Sequence, residues 1–246
     1  MLMADGTTGR TASADDRGVD LAAQLTEVAR TLQQQEDAQD TLDEIVRGAV
    51  GTIPGAWQAG IITVTGRREV DTVSMTGDVV GEVDQIQYDT GQGPCLEALY
   101  AHKIVNVPDL AHETRWPEFA DRAHRLGVSS MLSLQLFVRD DDLGALNLYS
   151  PDAHAFGEEA EHVGSLFAGH AAVALANARQ RDNLVQAVQT RDLIGQAKGI
   201  LMERHKITGD QAFTVLMRTS QRTNVKLRDL AEVLVRTGEL APSAAR

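Results

Sequence analysis

Apolar residues recur at helical spacing from Val19, through Leu21, Leu25, Val28 and Leu32, and again through Leu42, Ile45, Val46 and Val50. The pattern predicts one or two amphipathic helices, broken over the polar stretch from Gln33 to Gln39. After Pro54 and Gly55 the period shortens. Ala59 to Val64 is an apolar run, Glu69 to Met75 alternates, and Gly66-Arg67-Arg68 between them reads as a turn. A short helix over Val79 to Ile86 follows. Another opens at Pro94, whose missing N–H is harmless in a first turn, and carries Leu96, Ala98 and Leu99. Lys103 to Val107 is a strand ended by Pro108, and Trp116 to Leu126 is a helix with Phe119, Ala123 and Leu126 as its stripe. Two further strands, Ser130 to Val138 and Leu143 to Tyr149, are joined through Arg139 and three aspartates. That linker lacks the alternating ligands and closing glutamate of a calcium loop and reads as a solvated hairpin tip.

From Phe156 to His205 no proline interrupts the chain, and the spacing predicts a nearly continuous helix. Its stretch from Asn177 to Arg191 is a candidate for pairing with a second copy. Thr208-Gly-Asp-Gln is a capping box, with Thr208 at the N-cap and Gln211 reaching back. It opens a helix to about Arg222 that is expected to bury Ala212, Phe213, Leu216, Met217 and Ser220. Asn224 is placed to cap a third helix with the stripe Leu227, Leu230, Ala231 and Leu234. Ile194, Ala197, Ile200 and Leu201 would close this small core. The order of elements gives an α+β class: an antiparallel sheet flanked by helices, then a small all-α three-helix unit.

The chain has 246 residues, enough for one mid-sized and one small domain. Residues 1–18 are polar and aperiodic and predict a disordered leader; 19–178 form the larger domain and 179–246 the smaller. The net charge of -12 argues against nucleic acid until the chain is divided. Residues 1–178 hold 28 acidic and 11 basic side chains, a charge of -17, whereas 179–246 hold 7 acidic and 12 basic, a charge of +5. A basic module therefore follows an acidic body. No apolar stretch is long enough to span a membrane and no export signal opens the chain, so a cytoplasmic protein without a membrane partner is expected.

Once the apolar stripes face inward, Arg191, Lys198, Arg218, Arg222, Lys226 and Arg228 must meet solvent or a partner. Arginine and lysine at such positions suit phosphate, and arginine also stacks on or doubly hydrogen-bonds a base. Cys95, the single cysteine, excludes an internal disulfide. In the first turn of a helix it could have a lowered pKa and react, but Leu96 and Leu99 beside it favour a packed small residue. The histidines sit in no ligand motif, no phosphate-binding glycine loop ends in Lys-Ser or Lys-Thr, and no carboxylate pair is placed for acid–base work. No catalytic activity, metal or cofactor is assigned.

Gly91-Gln-Gly-Pro-Cys-Leu-Glu-Ala-Leu, the strand end Val105-Asn-Val-Pro-Asp and the strand Leu143-Gly-Ala-Leu-Asn-Leu-Tyr, in this order of elements, resemble a GAF sensory domain over roughly residues 20–178. The resemblance implies a pocket between the sheet and the helices on one face. A small molecule or a regulatory protein would be the input there.

Thr190-Arg-Asp-Leu-Ile-Gly-Gln-Ala-Lys-Gly-Ile-Leu-Met-Glu-Arg, then Asp210-Gln-Ala-Phe-Thr-Val-Leu, then Asn224-Val-Lys-Leu-Arg-Asp-Leu-Ala-Glu-Val-Leu-Val, resemble an ANTAR domain along its length. That family implies RNA binding: its members, generally dimers, grip paired hairpins in nascent transcripts and keep a terminator from forming. By resemblance, Ala197 to Gly199 and Arg222 to Lys226, Asn224 included, fall where RNA contact is assigned. A protein-interaction module or a DNA-binding regulator is the alternative.

Overall fold

The computed structural model describes residues 14–65, 69–101, 104–138 and 141–240. Residues 1–179 and 180–246 are two compact units.

The first unit begins with two helices, α1 (Ala14–Gln33) and α2 (Ala38–Thr52). The break between them has a local cause. Asp37 takes an extended conformation and its carboxylate accepts the Asp40 N–H at 2.8 Å, which starts α2 afresh. Strands β1 (Gln58–Thr65) and β2 (Glu69–Met75) follow; the expected turn at 66–68 lies outside the described residues. Helices α3 (Asp78–Thr90) and α4 (Pro94–Ala101) lead to β3 (Ile104–Val107), a 3-10 turn at Leu110–His112 and α5 (Pro117–Arg125). Strands β4 (Ser130–Val138) and β5 (Asp141–Ser150) complete an antiparallel sheet of order β2-β1-β5-β4-β3.

Alternation along the two central strands divides the interior. Leu132, Leu134 and Leu136 of β4, with Leu146 and Leu148 of β5, face a core closed by Ile45 of α2 and by Phe167 and Leu175 of the long helix α6 (Glu158–His205). Met131 and Tyr149 point the other way and pack with Val80, Val83 and Phe119 from α3 and α5. A glycine is required where β5 meets β1: Gly144 has φ +142, and a β-carbon there would lie 1.9 Å from the Ile62 carbonyl oxygen.

Two expectations shift in this unit. The leader drawn over residues 1–18 gives way to helix at Ala14, because a polar first turn carries no apolar period to betray it; residues 1–13 lie outside the described set. The acidic hairpin tip is also shorter than expected: Asp141 and Asp142 already pair with Val138 and Phe137 in the ladder, and residues 139–140 are not described.

α6 is continuous over its 48 residues, and the division between the units falls within it. The second unit adds α7 (Gly209–Thr223) and α8 (Leu227–Thr237). Its core is Ala197, Leu201, Ala212, Leu216, Leu230, Ala231 and Leu234. The capping box forms as the sequence predicts: the Gln211 side chain accepts the Thr208 N–H at 2.9 Å and the Gln211 N–H reaches the Thr208 hydroxyl at 3.3 Å.

Two expectations here need correction. The buried face of α7 is Ala212, Leu216 and Thr219, while Met217 and Ser220 are half-buried and Phe213 is 39% exposed. Ala212 and Phe213 are adjacent, so a stripe can choose either, and the smaller residue allows the closer approach to α6. Asn224 does not cap α8. It ends α7 in the left-handed conformation, φ 53, which asparagine tolerates better than most residues, and the N-cap of α8 is Lys226, with no side-chain capping bond.

Candidate functional site

The six cations anticipated on the second unit all reach its surface. Arg191, Arg218, Arg222 and Lys226 are exposed, Lys198 and Arg228 half-buried, and none forms an ion pair with another described residue. Their neighbours differ from them: Lys206 pairs with Glu203 at 2.6 Å, and Arg204 donates to the Gly238 carbonyl at 2.5 Å. The six therefore stand without an ion-pair partner among the described residues.

They fall into two groups. Arg191 and Lys198 lie seven residues apart on α6, two turns along one face. Lys198 runs alongside the start of α7, where a β-carbon built on Gly209 would stand 3.6 Å from its Nζ. The positive end of a helix repels an ammonium group, and an anion brought there would be attracted by both. Arg191 borders a groove of about 570 Å³ whose other walls include Ala187 and Ile194 of α6 and Phe213 of α7.

The second group sits around the α7–α8 turn. Arg218 and Arg222 are one turn apart on α7, on the flank away from Phe213. Lys226 and Arg228 open α8, and Asn224 stands between the pairs, exposed, with its backbone committed to the turn. The Ser220 hydroxyl donates to the Val225 carbonyl at 2.6 Å and pins this turn. Periodicity found the cations; it missed Phe213, whose exposure depends on which of two neighbouring residues α6 selects.

The first unit holds a different kind of site. Asp84 of α3 is fully buried, with no cation among the described residues in hydrogen-bonding contact. Its Oδ1 accepts from the Tyr149 hydroxyl at 2.6 Å, Gln87 Nε2 at 3.2 Å and Asn147 Nδ2 at 3.4 Å, and its Oδ2 accepts from the Thr72 hydroxyl at 2.9 Å. Burial raises its pKa to about 6, against the lowering effect of those four donors. Thr72 shares a second 2.9 Å hydrogen bond with Tyr88. Cys95 is buried at the start of α4, its backbone N–H bonded to Gln87 Oε1 at 3.0 Å. Desolvation, together with the nearby Asp84 charge, pushes its thiol well above the usual range; the lowering expected of a first turn is overridden. Asn147 Oδ1 and Ser133 Oγ, opposite one another across β4 and β5, are buried without a hydrogen-bond partner among the described residues. Among those residues no cluster of three His, Cys, Asp or Glu side chains is placed to hold a metal, and no helix is long and apolar enough to cross a membrane.

Comparison with known families separates the same two regions. The GAF domain profile matches residues 35–176, more than half of the chain, and the ANTAR domain profile matches residues 182–235. The chain belongs to the GAF family and carries a C-terminal ANTAR domain. The two are signalling and regulatory modules, and their pairing is that of a signal-responsive regulator.

Several solved structures share the fold of the GAF unit. The GAF domain of a phosphoenolpyruvate-protein phosphotransferase (ptsP) from Coxiella burnetii is 18% identical, with a TM-score of 0.54, covering 67% of this chain and 98% of that one. Free methionine-R-sulfoxide reductase from Neisseria meningitidis, solved with its substrate, is 17% identical, with a TM-score of 0.53, covering 70% of this chain and 97% of that one. The Stigmatella aurantiaca phytochrome photosensory core module is 11% identical, with a TM-score of 0.59, covering 85% of this chain and 46% of that one. At these identities the likeness is one of fold. No curated protein sequence matches the chain significantly.

Proposed function

We propose that this GAF–ANTAR protein is a cytoplasmic RNA-binding regulator that grips paired hairpins in nascent transcripts and so prevents a terminator from forming. The observation that carries the reading is the set of six unpaired cations on the ANTAR unit, in a chain whose remaining residues are strongly acidic. Hairpin loops offer unstacked bases to a small helical surface, while lysine and arginine hold the phosphates. Arg191 and Lys198 would serve one contact surface, and Arg218, Arg222, Asn224, Lys226 and Arg228 the other.

One three-helix unit binds weakly. Two units held together gain effective concentration and demand two hairpins at a fixed spacing. Leu184, Val185 and Val188 on α6 are more than half exposed, which favours pairing of two chains along this helix. The GAF unit would supply the input, and the unpartnered Asn147 Oδ1 and Ser133 Oγ favour a small ligand with hydrogen-bond donors. α6 contributes residues to both units and is the natural route between them. Coupling requires that the input bind two arrangements of that helix unequally.

The test is a gel-shift series with tandem stem-loops of varied separation. Lys198→Ala and Arg222→Ala should each weaken binding by about 1–3 kcal/mol, the range for a charged contact. A preference for one hairpin spacing should persist at high salt while affinity falls. Failure to bind any tandem stem-loop at low ionic strength would remove the RNA reading and leave a protein-interaction module.

A further inference from the structure

The geometry points to Phe213 as the stacking platform for an unpaired base of the bound RNA, set in the groove between α6 and α7. The inference rests on the RNA reading above and adds to it a residue that does not touch phosphate.

A phenylalanine on a short helix in so small a domain is expected in the core, yet Phe213 is 39% exposed while its neighbour Ala212 is fully buried. The exposed ring forms one wall of the groove of about 570 Å³, with Ile194 and Ala187 on the α6 side. The groove is open and has room for a single heterocycle. Asn183 and Gln186 line the same groove, and their amides carry both donors and acceptors, as the edge of a base requires.

Charge decides between occupants. Arg191 lines the groove. Gly209, one turn before Phe213 on α7, lies against Lys198. One cation, Arg191, thus shares the groove with the ring, and a second, Lys198, lies against α7 one turn before it, neither paired with an acid among the described residues. A polyanion with exposed π faces is complementary to an exposed ring with cations near it. A second copy docked here close to a two-fold axis would bring Arg191 and Lys198 against their own images, which is unfavourable.

The test uses the full-length protein and a library of tandem stem-loop RNAs with randomised loops. Phe213→Leu should weaken binding by about tenfold or more, the cost of losing one base stack, and leave the slope of log Kd against log salt unchanged because no charge is lost. Phe213→Trp should retain binding, and its indole fluorescence should be quenched by RNA. Thermal melting of Phe213→Leu should stay cooperative and shift by only a few degrees, since leucine keeps much of the partly buried apolar contact and the loss of binding is then not a loss of folding. Native-like binding by Phe213→Leu overturns the inference while the RNA reading stands. A shift of the monomer–dimer equilibrium of Phe213→Leu in sedimentation also overturns it, because the ring would then be covered by a second copy. No binding by the native protein to any library member overturns both.

Discussion

Tyr149 donates a hydrogen bond to Asp84 across 2.6 Å, at a position where both residues are buried and no cation among the described residues makes contact. The bond ties β5 to α3 beneath the GAF sheet. A carboxylate kept there ionised is stabilised only by neutral donors, and burial outweighs them.

Stability should therefore depend on pH through this one group. Its folded pKa of about 6 lies above the ordinary carboxylate value of 3.8, so its contribution is fully present below about pH 4 and is lost as pH rises through 6. The difference corresponds to about 3 kcal/mol. In Asp84→Asn this component should vanish. Denaturant titrations of both proteins at pH 4.5, 6 and 7.5 would show it as a slope present in one and missing in the other.

Gly144 should tolerate no side chain. Its φ of +142 and the Ile62 carbonyl oxygen 1.9 Å from a built β-carbon mean that Gly144→Ala must push β5 from β1. A loss of about 2–4 kcal/mol is expected, by strain and a disrupted strand pair. A melting temperature equal to that of the native protein would contradict the described register.

Asn224 can be separated into backbone and side chain. Its left-handed conformation, φ 53, suits glycine, so Asn224→Gly should keep native stability, while Asn224→Val should cost about 1–2 kcal/mol. RNA affinity of the glycine variant then reads the side chain alone: a loss marks Asn224 as a contact, and native affinity marks it as a turn residue. Thr208→Ala provides a calibration, since removing its capping box should cost about 1 kcal/mol without a charged contact.

Pairing of chains should depend on the exposed α6 residues. Leu184→Asp combined with Val188→Asp places like charges where the two apolar side chains are more than half exposed. The double variant should sediment as a monomer and lose preference for tandem over single hairpins, as effective concentration is removed. An unchanged mass against a dimeric native protein would move the interface elsewhere.

Much of this was legible in the chain itself. The strand expected over Ser130 to Val138 has the limits that β4 adopts, because burial on both faces of the sheet fixes which side each residue takes. Thr208 and Gln211 specified a helix start within four residues, a local interaction independent of anything distant. The charge division and the six cations needed only counting.

What the tertiary structure decided lies where adjacent residues compete or where groups distant in sequence meet. Phe213 and Ala212 satisfy the same stripe, and only the approach of α6 selected the smaller one for the core. Asn224 has the chemistry of a cap for either neighbouring helix, and the turn held by Ser220 and Val225 gave it to α7. Asp84 is one of 35 acidic residues, with nothing in its neighbourhood to mark it. Its burial and its four donors come from β2, α3 and β5, brought together by sheet order, and desolvation is a property of that assembly and not of the sequence around it.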